Sequence, residues 1–309
     1  MVIPRPDRLR IHPQSTELQP MSNPMHQATL AAKAHADHRS IIALSDTVSV
    51  GGEPLLIVGG PCAVESLAQM EAVASRLATA PVQALRGGVY KPRTSPYSFQ
   101  GMGQEGLEIL SSVRDRYGLP VITEVMAIAQ IEAVAAHADV LQIGSRNMQN
   151  FDLLKAVGTV NKPVVLKRGL AATLEEFVMA AEYILSHGNP NVILCERGIR
   201  SFDSYTRNVL DLGTVVALKQ LTHLPVLVDP SHAAGKRELV ADLSRAAIAC
   251  GADGLMVECH PQPEQSVSDA RQSLSLDEMV DLVNNLRAIA TAVGRSIATV
   301  EPMPHLTLV

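Results

Sequence analysis

Arg86, Lys91, Arg93, Arg146, Lys167, Arg168 and Arg197 each stand at or just past the end of a short apolar run, in a chain whose net charge is -5. Cations gathered at such points in an acidic protein suit a polyanionic small molecule held in a cleft. Cys62, His232, Glu258 and Asp269 occupy positions of the same kind. A thiol, an imidazole and two carboxylates form a mixed donor set for a borderline divalent ion such as manganese, iron, cobalt or zinc, and not for calcium, which takes oxygen ligands. The pattern predicts metal-dependent chemistry on phosphorylated metabolites.

The strongest local signal is residues 85–96. Gly87 and Gly88 permit close backbone approach, and Pro92 and Pro96 stiffen the loop. Arg86, Lys91 and Arg93 bring charge, while Thr94 and Ser95 bring hydroxyls suited to phosphate oxygens. A basic Pro/Gly loop can also be a plain solvated turn, but Lys167, Arg168 and Arg197 follow other apolar runs and add to the same charge. So many cations exceed the needs of one phosphate, so two phosphorylated substrates, or a phosphate with a carboxylate, are expected.

The elements that must position these residues are eight apolar runs, at 55–58, 82–85, 121–123, 140–143, 164–166, 192–194, 226–228 and 255–257. Amphipathic stretches with apolar residues at three- and four-residue spacing lie between them, including 66–79, 103–117, 174–186, 204–220 and 237–250. Strands buried on both faces read as continuous apolar runs, so eight such units predict an α/β fold, a closed (β/α)8 TIM barrel with a short N-terminal extension. A doubly wound open sheet is the competitor, but Gly59-Gly60-Pro61-Cys62 lacks the glycine fingerprint of that fold. In a barrel the chemistry gathers at the C-terminal ends of the strands, where Arg86, Glu124, Lys167, Arg197, Asp229 and Glu258 are expected to face the axis. Cys259 then points away from it, and Cys195 and Cys250 suit packing.

Residues 1–39 read as a flexible proline-rich tail with a possible short helix over the Ala-rich 27–38. Residues 40–53 read as a small hairpin around Gly51-Gly52, 54–295 as the barrel and 296–309 as a C-terminal tail. Only five Tyr, four Phe and no Trp argue against a nucleic-acid surface. Four cysteines without a C-x-x-C pair fit a reducing cytoplasm, and no apolar run approaches the roughly 20 residues of a membrane span.

Residues 60–66, 85–101 with their Lys-Pro-Arg-Thr-Ser core, 142–147, Leu166-Lys167-Arg168-Gly169, Cys195-Glu196-Arg197-Gly198, Asp229-Pro230-Ser231-His232 and 257–261 resemble, in order, the 3-deoxy-D-arabino-heptulosonate 7-phosphate (DAHP) synthases of the type I beta group. The resemblance runs from about Thr47 to Met279 and implies a barrel transferase that condenses phosphoenolpyruvate with erythrose 4-phosphate at the entry to the shikimate pathway. It implies Cys62, His232, Glu258 and Asp269 as ligands of a divalent metal, manganese, cobalt, zinc or iron. Phosphoenolpyruvate would be held by Arg86, Lys91, Glu124, Arg146, Lys167 and Arg197, with Ser145 through its backbone and Arg168 beside Lys167. Erythrose 4-phosphate would lie along Lys91, Pro92, Arg93, Thr94 and Ser95. Lys91, Glu124 and His232 are the candidate catalytic residues. The related eight-carbon synthase inserts an Asn in the basic motif and in many members replaces the metal Cys by Asn; this chain keeps Lys-Pro-Arg-Thr-Ser and Cys62.

The resemblance also implies a homo-oligomer, dimer or tetramer; the cytoplasmic expectation rests on the cysteines and on the absence of a signal-like or membrane-spanning apolar run. The leader is too short for the added regulatory domains of some relatives, so no inhibition by Phe or Tyr is expected, while control through a separate partner stays open. A paralogue using another phosphosugar aldehyde, or a non-catalytic phosphosugar-binding protein, remains the alternative.

Overall fold

The computed structural model describes residues 27–93 and 95–298. A hairpin of β1 (Ile42–Ala43) and β2 (Ser49–Val50) precedes eight parallel strands: β3 (Pro54–Gly60), β4 (Ala84–Arg86), β5 (Val121–Glu124), β6 (Val140–Ile143), β7 (Val164–Lys167), β8 (Val192–Glu196), β9 (Val226–Val228) and β10 (Gly254–Glu258). Each pairs with the next, and β10 pairs back to β3, with Gly254 opposite Leu56 and Glu258 opposite Gly60, so the barrel closes. The helices are α1 (Leu67–Leu77), α2 (Gln104–Tyr117), α3 (Ile131–His137), α4 (Phe151–Gly158), α5 (Leu174–Ser186), α6 (Leu212–Leu221), α7 (Pro230–Ala234), α8 (Arg237–Ala249) and α9 (Leu276–Ala292). Ser66, Asn150, Thr173, Asp211 and Ser275 each cap the helix that follows with a side-chain oxygen.

Two apolar clusters follow from strand alternation. Leu56, Val58, Ala84, Ile122, Val140, Val165, Ile193, Cys195, Leu227 and Met256 fill the barrel interior. The alternate residues, among them Leu55, Ile57, Leu85, Leu141, Leu166, Leu194 and Cys259, pack outward among the helices. Ile42, Leu44 and Val50 of the hairpin join the interior cluster and cap the barrel at the N-terminal ends of its strands, opposite the predicted site.

Several expected boundaries move. Residues 27–38 form turns and not a helix: Thr29 Oγ1 and the Leu30 and Ala31 amides donate to the carboxylate of Glu182 on α5 at 2.8–3.1 Å, and Ala32 bridges to Thr222. These fixed partners override the helix propensity of alanine. The hairpin turns at Val48, whose carbonyl accepts from the Leu44 and Ser45 amides, and not at Gly51-Gly52. β4 starts at Ala84, later than the expected 82–85, because Val82 closes a turn onto Ala80 and the Gln83 side chain takes the Ile57 amide. Residues 204–211 are loop, and α6 begins only where Asp211 caps it at Thr214. Ser296–Ile297 of the expected tail form β11, parallel to Pro54 and Leu55. The expected tails at 1–26 and 299–309 lie outside the described residues.

Glu182→Ala should free three donors of the leader, a loss of about 1–3 kcal/mol. A melting temperature lower by several degrees and faster tryptic cleavage after Lys33 are the expected results; unchanged proteolysis would show that the leader is held otherwise.

Candidate active site and metal centre

Seven polar residues stand two positions beyond an inward apolar one: Arg86 after Ala84, Glu124 after Ile122, Gln142 after Val140, Lys167 after Val165, Arg197 after Cys195, Asp229 after Leu227 and Glu258 after Met256. Strand parity therefore turns all seven toward the axis at the C-terminal mouth, and all are buried. Above them Cys62, Lys91, Pro92, Arg93, Ser95, Ser145, Arg146, His232 and Asp269 line a cavity of about 460 Å³ with Arg86, Glu124, Lys167 and Arg197.

Arg168 does not line that cavity. Neighbouring residues of a strand point to opposite faces, so with Lys167 inward Arg168 turns into the wall, where its guanidinium pairs with Glu196 at 2.8 Å and Asp211 at 3.1 Å. Its placement in the phosphate site is corrected on that ground. Thr94 lies outside the described residues. Gln142, Ser98, Leu170, Arg200, Arg207 and Asn208 also line the cavity and were not singled out from sequence. Gln142 was accessible from parity alone; Arg200, Arg207 and Asn208 lie in and beside the stretch misread as helix.

Cys62, His232, Glu258 and Asp269 each present a donor atom, all within 4.8 Å of one another. Cys62 Sγ lies 2.9 Å from Asp269 Oδ2, and His232 Nε2 lies 3.2 Å from Glu258 Oε1. Glu258 Oε1 is buried without a hydrogen bond among the described residues. A buried carboxylate oxygen left open beside a thiol and an imidazole fits a borderline divalent cation. Asp229 fixes the imidazole: its carboxylate accepts from His232 Nδ1 at 2.7 Å and from the His232 amide at 2.8 Å, leaving Nε2 for the cluster. Burial lowers the His232 pKa against the pull of Asp229 and Glu258, so the neutral, ligating form prevails. Burial and the neighbouring Glu258 push the Cys62 thiol up to about 12. Burial works to raise the Asp269 pKa, but His232, the Cys62 thiol and Arg207 together hold it below the ordinary carboxylate range.

The cationic side is built on the same floor. Lys167 Nζ bonds Asp229, and Arg86 Nη1 lies 3.2 Å from Glu258 Oε1 without hydrogen-bond alignment. Arg86 Nε and Nη1 have no hydrogen-bond partner among the described residues and are available to an anion. Lys91 folds back over Gly88 so that Nζ donates to the Cys62 carbonyl at 2.7 Å and meets Cys62 Sγ at 2.9 Å. A Cβ on Gly88 would stand 2.9 Å from Lys91 Cδ, and one on Gly144 would stand 2.0 Å from Glu124 Oε1, so both glycines admit a reactive side chain to their backbone. Burial raises the Glu124 pKa, opposed by Lys91, Lys167, Arg86 and Arg146.

A family model described as DAHP synthetase I matches residues 31–293. The chain belongs to the DAHP synthetase I family. It is 50% identical over 255 residues to a phospho-2-dehydro-3-deoxyheptonate aldolase of Thermotoga maritima, covering 82% of this chain and 75% of that protein. It is 34% identical over 264 residues to a 2-dehydro-3-deoxyphosphooctonate aldolase of Syntrophotalea carbinolica, covering 80% and 94%. The crystal structure of the Thermotoga maritima DAHP synthase matches with a TM-score of 0.83 and 46% identity over 87% of this chain and 78% of that one. A truncated form of that organism's 3-deoxy-D-arabino-heptulosonate 7-phosphate synthase matches with a TM-score of 0.81 and 44% identity over 87% and 99%. The (β/α)8 barrel agrees with both. Among the described residues no helix is long and apolar enough to cross a membrane.

Because Cys62 is a neutral thiol at pH 7 before a cation binds, ligation must release its proton, so affinity rises with pH. Calorimetric titration of manganese in buffers of different ionisation enthalpy should show about one proton released per ion; release of none would remove Cys62 from the ligand set.

Proposed function

We propose that the chain is a DAHP synthase that condenses phosphoenolpyruvate with erythrose 4-phosphate and releases inorganic phosphate, a transferase of the shikimate pathway. One observation carries the reading: a single cavity joins the cationic group Arg86, Arg146, Lys167 and Arg197, the basic loop at Lys91, Pro92 and Arg93, and the four-donor cluster. The higher identity to the heptonate relative than to the octonate one supports a four-carbon aldehyde. Phosphate and carboxylate oxygens of the enol substrate are matched by Arg86, Arg146, Lys167 and Arg197, with the Ser145 backbone beside them. Arg93 holds the Phe99 carbonyl through Nε at 3.0 Å, and its Nη2 is buried with no partner among the described residues, which suits the aldehyde's phosphate.

In the bond changes, C3 of phosphoenolpyruvate bonds to the aldehyde carbon, and the aldehyde oxygen takes a proton. Water adds at C2, and the C2–O bond to phosphate breaks, leaving the ketone and inorganic phosphate. Cys62, His232, Glu258 and Asp269 would hold a divalent ion, manganese, cobalt, zinc or iron, which when bound supplies Lewis-acid polarisation of the aldehyde oxygen. Lys91 has two of its three ammonium donors engaged by Cys62, so the third can deliver the proton to the developing alkoxide. Glu124, in a ring of cations at the cavity floor, can accept a proton from the attacking water. Lys167 and Arg197 stabilise the phosphate and carboxylate charge through the tetrahedral stage.

Protein stripped by chelator and then given manganese should release phosphate from phosphoenolpyruvate with erythrose 4-phosphate and not with arabinose 5-phosphate. Release with the five-carbon sugar would move the assignment to the octonate branch, and release with neither would favour a specialised or non-catalytic protein. Lys91→Met should cut turnover on the order of 10²–10⁴-fold; turnover within a few-fold of wild type would remove Lys91 as the proton donor.

A further inference from the structure

Arg207 belongs to the loop between β8 and α6 and is laced to α7, the helix of His232. Its amide donates to the Ala234 carbonyl at 3.0 Å, the Asn208 amide to Ala233 at 2.8 Å, and Asn208 Nδ2 to the His232 carbonyl at 2.9 Å. The Arg207 side chain then crosses to the loop after β10. Its Nη1 donates to Asp269 Oδ1 at 2.9 Å and to Gln272 Oε1 at 3.2 Å. Gln272, itself buried, donates from Nε2 to Glu258 Oε2 at 2.5 Å.

Each carboxylate of the metal cluster is thus tied through one oxygen to an outer partner, while its other oxygen faces the cluster. Asp269 keeps Oδ2 toward Cys62, and Glu258 keeps Oε1 toward His232. The Gln272 amide has one workable orientation, because a flip would set its oxygen against a carboxylate and its NH₂ against a guanidinium. Asp269 also needs a restraint, being the one described non-glycine residue at positive φ, +57°.

We propose that Arg207 and Gln272 are positioning residues that orient the two carboxylate ligands, Arg207 acting on Asp269 directly and on Glu258 through Gln272. The inference rests on the metal reading of the cluster and not on the identity of the substrates. Outer partners that fix a ligand's orientation raise metal affinity without touching the ion. Arg207 stands at the mouth of the cavity, so it also ties the loop after β8 to the loop after β10.

The test is the affinity for manganese, read from the electron paramagnetic resonance of free Mn²⁺ during titration of chelator-stripped protein. Arg207→Ala should weaken binding about 10–100-fold, and Arg207→Lys, which keeps a donor for Asp269 Oδ1, should recover most of it. In an Asp269→Asn background, where the charge pair is already lost, Arg207→Ala should add less than a few-fold. Thermal melting of the stripped variants checks folding, and Arg207→Lys keeps the test open if Arg207→Ala does not fold. Wild-type affinity in Arg207→Ala, no recovery in Arg207→Lys, or an equal loss in both backgrounds would overturn the proposal. Manganese binding as expected without DAHP formation would sink the assigned reaction and leave the positioning role standing.

Discussion

The buried carboxylate of Asp229 is the point on which both halves of the site turn. It has no solvent exposure, and burial by itself would favour its neutral form. His232, Lys167 and Arg86 outweigh that burial and hold it well below the usual carboxylate range. The anion in turn fixes the His232 ring with Nε2 toward the metal cluster and anchors Lys167 beneath the phosphate cavity. Removing one member of such a set strands a charge in low dielectric, so the cluster and the cationic cradle are energetically one unit.

That unit exists because the barrel delivers its parts in register. An apolar residue of each strand fills the interior, and the residue two places on emerges at the C-terminal mouth; seven strands supply a polar group in this way. The hairpin seals the opposite end with Ile42, Leu44 and Val50. The packed interior keeps water from beneath the charges, which sharpens every interaction among them. Glycines at 88 and 144 then let Lys91 and Glu124 lie against backbone where any side chain would collide.

The loops complete what parity begins. Cys62, Lys91, His232 and Asp269 follow strands by longer or irregular paths, and local bonds set their positions. Asp229 caps α7 so that His232 faces inward. Glu65 accepts from Ser266 and the Val267 amide, steadying the segment that leads to Asp269. Arg207 spans the loops after β8 and β10. The ligand set therefore draws on the end of β10 and on the connections after β3, β9 and β10, and not on any single motif.

The amino-acid sequence by itself determined the fold class and the residues at the strand ends, because period-two alternation and buried parallel strands leave a direct pattern in residue type. The same parity excludes Arg168 beside Lys167, a conclusion available without coordinates. Only the tertiary structure decided that 27–38 would be turns and 204–211 a loop, since Glu182, Thr222 and Ala233-Ala234 are distant in sequence and supply the hydrogen bonds that defeat local helix propensity. It alone decided which oxygen of Glu258 and Asp269 faces the cluster, because that choice belongs to Gln272 and Arg207, whose side chains carry no periodic signal. Alternation is written into the chain one residue at a time, whereas hydrogen-bond partners between loops exist only once the barrel has brought the loops together.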